Sequence, residues 1–279
     1  MHELRQQYPV VVLVKVVELA KSSFYEWDKA RQREDKHGEV KERIKKIYDQ
    51  HKGRYGYRRI ASVLQQEGVS MHQNTVQRLM GQHGLKSLQR PKKYKSFRGE
   101  VGRTAPNELQ RQFNASKPNE KWVTDITEFK VGDQKLYFSP IKDLYNGEIV
   151  TYTMGTRPVL ELVTDMMKQG IRKLKRDDKP MLHSDQGWHY QMPGFRKILD
   201  DRQLVQSMSR KGNCHDNASM ESFFGVMKSE CFHLMKFDSI DQLKQELIAY
   251  VKYYNFERIS LGLGGLSPVK YRRQQAVAA

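Results

Sequence analysis

The chain has 279 residues, 38% of them hydrophobic and 10% aromatic, which is enough apolar side chain for real cores and excludes a chain disordered throughout. Forty-nine Lys and Arg against 32 Asp and Glu leave a net charge of +17, so a polyanionic partner is expected, either nucleic acid or an acidic membrane surface. The apolar run Val10 to Ala20 is broken by Lys15 and Glu18 and is too short to span a bilayer, no cleavable leader follows Met1, and two cysteines, Cys214 and Cys231, cannot make a disulfide framework or a four-cysteine zinc site. A cytoplasmic protein that handles DNA or RNA is the expectation, with no membrane partner.

The first elements read as short helices. Val10 to Leu19 is rich in β-branched residues, which by propensity alone favour a strand. Ala20 to Trp27 then supplies a turn, a serine cap and a new helical start, so a helix pair fits better. Val40, Ile44, Ile47 and Tyr48 recur at helical spacing and predict an amphipathic helix over Gly38 to Gln50. Arg54 to Ile60 runs into another helix with Ile60, Val63 and Leu64 inward. Gly68 breaks it, and Asn74 is placed to cap the next, whose apolar face is Val76, Leu79 and Met80. Helix, glycine-containing turn, helix is helix-turn-helix spacing, and Gln73, Asn74, Gln77 and Arg78 can read base edges. A plain three-helix bundle with solvated polar faces fits the same pattern.

Residues 1–115 hold 24 basic and 12 acidic side chains, so most of the excess charge lies in the front of the chain. Lys86 to Arg103 is the steepest stretch, at +6, and its Pro91, Gly99 and Gly102 mark it as a linker. Such a linker suits a phosphate backbone, with Lys92 and Lys93 as candidate contacts; an inert spacer is the alternative.

From Lys121 the texture changes. Trp122 to Phe129 and Leu136 to Ile141 are β-rich, with Gly132-Asp133 as a hairpin signal, and Ile149 to Met154 makes a third strand. A helix over Leu160 to Lys175, a strand over Pro180 to His183, a helix over Gly194 to Asp201 and a strand over Leu204 to Ser207 follow, then long helices from Ala218 and Ile240. This is an α/β pattern, a mixed sheet flanked by helices, preceded by an all-α region. The expected organisation is a helix-turn-helix region over 1–85, a basic linker over 86–115, an α/β core over 116–230 and a helical extension over 231–279.

Three carboxylates stand in unusual surroundings. Asp125 lies inside a β-rich run, Asp185 follows an apolar strand in His183-Ser184-Asp185-Gln186-Gly187, and Glu221 falls on the first turn of a helix, with 35 residues between it and Asp185. Each alone also reads as an edge-strand acid, a turn aspartate or a helix N-terminal glutamate favoured by the dipole.

With Trp122-x-x-Asp125, His183 to Gly187, Ser207 to Ala218 and Glu221-Ser222-Phe223-Phe224, the chain resembles the bacterial insertion-sequence transposases with an integrase core. These are products of a second overlapping reading frame, within the retroviral-integrase superfamily. Tyr254-Asn255 with Leu266-Ser267-Pro268 resembles the closing signature of that family, and Arg54 to Ile60 its helix-turn-helix segment, so the resemblance covers residues 10–273. It implies a ribonuclease-H-like fold and a D-D-(35)-E triad of Asp125, Asp185 and Glu221 binding two Mg²⁺ ions, with Mn²⁺ as a substitute. The implied activity is cleavage and strand transfer on double-stranded DNA, at terminal inverted repeats and target, by a homo-oligomer on the DNA. Hard cations prefer such oxygen ligands, and three carboxylates converging without cations would repel one another.

The resemblance further implies that Lys228, seven residues beyond Glu221 and on its helix face, touches the DNA end. Arg210 and Lys211 in the glycine-containing loop Ser207 to Asp216 are candidate phosphate contacts, and Arg58 and Arg59 candidates in the helix-turn-helix segment. His183 and His215 flank the site and read as supports of the carboxylates. Relatives work as a fusion in which an upstream frame adds a further DNA-binding element and a multimerisation zipper, so the upstream product is an expected partner. A non-catalytic DNA-binding regulator and a ribonuclease-H-like nuclease that does not join strands are the rival readings.

Overall fold

The computed structural model describes residues 3–31, 37–88, 104–210 and 214–278. Lys92, Lys93 and Lys211, and the side chain of His215, lie outside them. The N-terminal region holds α1 (Val10–Val16), α2 (Lys21–Arg31), α3 (Gly38–Gln50), α4 (Tyr57–Gln66) and α5 (Gln73–Gln82). Valines that would suit a strand are helical in α1 because Pro9 and the turn at Glu18 bound a single short helical pair; Ser22 and Ser23 fall inside α2 rather than capping it. In α3, α4 and α5 the apolar positions close on one core of Ile44, Ile47, Ile60, Leu64, Val76 and Leu79. His72, not Asn74, caps α5: its Nδ1 accepts from the Asn74 N–H at 3.3 Å.

The sheet is built from β1 (Lys121–Thr124), β2 (Thr127–Val131), β3 (Gln134–Asp143), β4 (Ile149–Gly155), β5 (Met181–Ser184) and β6 (Gln206–Met208). Between β4 and β5 runs α6 (Leu160–Ile171), and between β5 and β6 run α7 (Trp188–Gln191) and α8 (Pro193–Asp201). β3 pairs antiparallel with β4 on one side and with β1 and β2 on the other, while β5 and β6 continue the sheet parallel to β1. This mixed order is the ribonuclease-H-like sheet expected from the resemblance.

β1 and β2 are one line of chain. The pairs Thr124↔Ile141 and Thr127↔Phe138 lie on the same unbroken register along β3, and only Asp125 and Ile126 leave the ladder. Opposite Asp125 in that register stands Pro140, which has no N–H to give.

Alternate residues of β1 feed opposite faces of the sheet, as strand geometry requires. Trp122 packs with Val163, Met166, Phe195 and Leu199 of α6 and α8. Val123 packs on the other face with Met220, Phe223, Leu247 and Tyr250, from α9 (Ala218–Glu230) and α10 (Ile240–Phe256). After α10 the chain turns back and ends in α11 (Pro268–Ala278).

The helical region is docked on this core. Ile259 joins the core of α3 to α5, and Gln66 donates to the Gly265 carbonyl at 2.9 Å. Gly265 has φ +79 and lies so close to Ser62 that a side chain would collide there. Among the described residues no helix is long and apolar enough to cross a membrane.

Candidate active site

Strand register brings two of the carboxylates together. β1 and β5 pair in parallel as Lys121↔Met181, Trp122↔Leu182 and Val123↔His183, so the same offset places Asp125 beside Asp185 where both strands end. Each has one oxygen fixed by the backbone. The Ile126 N–H donates to Asp125 Oδ1 at 2.7 Å, and the Gly187 N–H to Asp185 Oδ1 at 2.9 Å. A Cβ on Gly187 would come within 2.9 Å of that same oxygen, so the turn after Asp185 needs its glycine.

Burial raises the affinity of Asp125 for a proton well above that of an ordinary carboxyl, and the charges of Asp185 and Glu221 raise it further. Burial also raises Asp185, against the Gly187 N–H and the nearby His189. Glu221 lies on the exposed edge of the site, on the first turn of α9. That helix is tied to the sheet by Asn217, whose Nδ2 donates to the Thr124 carbonyl at 3.2 Å, one residue before Asp125. Among the described residues no three His, Cys, Asp or Glu side chains are gathered closely enough to hold a metal ion.

Lys228 reaches toward the first aspartate: its Nζ stands 5.3 Å from the Phe129 ring centroid, and Asp125 and Glu128 hold up an ammonium pK that burial pulls down. His183 is buried between two hydroxyls, its Nδ1 2.8 Å from Ser207 Oγ and its Nε2 3.1 Å from Ser209 Oγ. It ties β5 to β6 rather than supporting the carboxylates directly. Burial pulls its pKa down to about 4.

Two candidate DNA contacts are committed elsewhere. Arg210 donates from Nε and Nη2, both at 3.0 Å, to the fully buried Asp216, which also takes Arg111 at 2.8 Å and Asn107 at 2.9 Å. These partners, Arg210 foremost, hold the Asp216 carboxyl below the usual range. Arg59 turns inward, 3.5 Å from Glu230, with its guanidinium over the Tyr55 ring. Gln77, Arg78 and Arg58 are exposed, on α5 and α4.

Sequence reasoning missed α7, a single turn too short for periodicity to reveal. It delivers His189, whose Nε2 donates to the Pro158 carbonyl at 2.8 Å, and Tyr190, a buried phenol whose proton is held by burial and by Asp125 and Asp185. The aromatic run Trp188-His189-Tyr190 directly after Gly187 was the available signal.

Residues 115–214 and 221–275 match integrase core domain families, and residues 35–93 match an HTH-like domain family. The fold thus belongs to the integrase class of polynucleotidyl transferases. The chain is 51% identical over 274 residues to the InsK transposase for insertion sequence element IS150 of Escherichia coli, covering 98% of this chain and 97% of that one. It is 52% identical over 208 residues to a transposase-like protein of Haemophilus influenzae, covering 75% and 96%. The HTLV-2 integrase catalytic core domain in complex with magnesium aligns with a TM-score of 0.41 at 14% identity, over 56% of this chain and 98% of that one. The chain belongs to the insertion-sequence transposases with an integrase core domain.

Proposed function

We propose that the chain cleaves and joins DNA strands at the ends of an insertion sequence, with Asp125, Asp185 and Glu221 as catalytic carboxylates and two Mg²⁺ ions, replaceable by Mn²⁺, as cofactor. The observation that carries this reading is the shared register of Asp125 and Asp185, which sets two half-buried acids side by side, with no basic side chain among the described residues hydrogen-bonded to either. An all-oxygen donor set of this kind suits hard divalent cations. Bound there, such ions supply Lewis acidity to an in-line displacement at phosphorus.

The residues of the chain do the positioning. Ile126 and Gly187 each fix one carboxylate oxygen and so orient the other. Asn217 holds the start of α9, and with it Glu221, against the end of β1. Lys228 offers a cation beside Asp125 for a phosphate of the DNA end. Tyr190 is buried close to both aspartates, and their charges help to hold its phenol proton. Water is the first nucleophile, and the 3′-hydroxyl it frees attacks a second phosphodiester, so no covalent protein intermediate is required.

Recognition falls to Gln77 and Arg78 at base edges, with Arg58, Lys92, Lys93 and Lys211 on phosphates. The working form is a homo-oligomer on DNA, with the upstream reading-frame product as a further partner.

A supercoiled plasmid carrying the cognate inverted repeats tests this. Metal-dependent nicking followed by joining is expected. Binding alone would make the chain a regulator, and nicking alone a nuclease.

A further inference from the structure

We propose that the cavity between the β3–β4 turn and the chain that follows α10 binds a phosphate-type anion. The cavity measures about 240 Å³ and is lined by Lys142, Tyr145, Gly147, Tyr254, Arg258 and Ser260 among others, none of the described lining residues being acidic. The two carboxylates of the same turn do not face it unpaired. Asp143 and Glu148 are both held by Arg272, at 2.9 and 2.7 Å.

The lining is instead rich in donors. Lys142 Nζ gives two hydrogen bonds, to the carbonyl and hydroxyl of Ser219, both at 3.1 Å, and meets no carboxylate among the described residues. Arg258 spends Nε and Nη2 on Glu230, which leaves its Nη1 edge. Tyr254 and Ser260 add hydroxyls. A Cβ on Gly147 would lie 3.6 Å from Lys142 Cε and 3.7 Å from the Tyr254 hydroxyl, so the glycine leaves the floor of the cavity open between them.

Burial and the nearby Arg258 pull the Lys142 ammonium down to about 8, the mark of a cation lacking a counter-charge. A phosphate group would supply that charge, and its oxygens would accept from these side chains. The site also absorbs Tyr254 and Pro268 of the closing sequence signature, which the carboxylate chemistry does not use. It is separate from the acidic pair, and its test does not depend on strand cleavage.

The occupant is either a backbone phosphate of bound DNA or a free phosphate compound. Inorganic phosphate titrated into the full chain at constant ionic strength, followed by thermal unfolding and ³¹P line width, is expected to give a saturable response. Lys142→Met, which keeps length and loses charge, should weaken it at least about tenfold. Tyr254→Phe, which loses only a hydroxyl, should weaken it severalfold and serves if the first variant fails to fold.

The salt dependence of duplex binding separates the two sources. A backbone phosphate as occupant lowers the log–log slope by about 0.9 in Lys142→Met. A free phosphate compound leaves the slope unchanged while the phosphate response is lost. No saturable response in the wild type, together with an unchanged slope in folded variants, overturns the proposal.

Discussion

Glu230 and Arg258 meet edge to edge, Nε to Oε2 and Nη2 to Oε1, both at 2.7 Å, and both side chains are buried. Around this pair the Tyr250 hydroxyl donates to Glu230 at 3.0 Å, Arg59 approaches at 3.5 Å, and Arg54 Nε donates to the Glu230 carbonyl at 2.9 Å. Glu230 ends α9, the helix whose first turn carries Glu221, whereas Arg54 and Arg59 belong to the helix-turn-helix region. One residue, through its carboxylate and its backbone carbonyl, therefore fastens the helix-turn-helix region to the helix that borders the acidic pair.

Glu230→Gln should be among the most destabilising single changes in the chain. It removes the negative charge facing the guanidinium groups of Arg258 and Arg59, and breaking a buried pair from one side costs about 3–5 kcal/mol. Urea unfolding measures this directly, and a loss below about 1 kcal/mol would mean that the joint is solvated and weak.

Asp125→Asn, Asp185→Asn and Glu221→Gln should each eliminate cleavage and joining while leaving duplex affinity close to that of the wild type. Binding is measured by gel shift and chemistry on the plasmid substrate. Wild-type joining in any one variant removes that residue from the mechanism.

The sequence carried the helices of the front region well because their contacts are local. The spacing of Val40, Ile44, Ile47 and Tyr48 fixes α3 at Gly38–Gln50, as observed. Trp122 to Phe129 read as one strand because nothing in an apolar run announces a ladder break; the break at Asp125 depends on Pro140, fifteen residues away. α6 ends at Ile171, short of the expected Lys175, because residues 172–174 tighten into turns that periodicity over Leu160 to Lys175 does not distinguish from helix. The pairing of Asp125 with Asp185 came from the resemblance rather than from either residue's own surroundings, because the parallel register that joins them links distant parts of the chain. The inward turn of Arg59 was not legible, since its partner lies 171 residues along the chain.

Acid should weaken the fold partly through His183. Its pKa is pulled from the ordinary 6.5 to about 4, so between those values the unfolded chain holds more protons than the folded one. Stability from this group is full above pH 6.5 and is lost as the pH falls toward 4, by at most about 3 kcal/mol. His51, also lowered to about 4 by burial, adds a second slope of the same sign. His183→Gln should flatten the dependence by up to one proton, read from urea unfolding at several pH values across that interval. A variant with the wild-type slope would show that His183 titrates normally.

Arg78 and Arg59 should respond to substitution in opposite ways, although both are arginines of the helix-turn-helix region. Arg78 is exposed on α5, beside Gln77, with its charge turned to solvent. Arg78→Ala should leave unfolding unchanged and relax discrimination at one base-pair position of the cognate end, by about 1–3 kcal/mol. Arg59 is instead spent on Glu230 and Tyr55, so Arg59→Ala should lower stability and weaken all sequences alike, through the fold rather than through a lost contact. Competition binding against end variants, paired with thermal unfolding of each protein, separates the two. A sequence-selective loss in Arg59→Ala at unchanged stability would place that guanidinium on DNA after all.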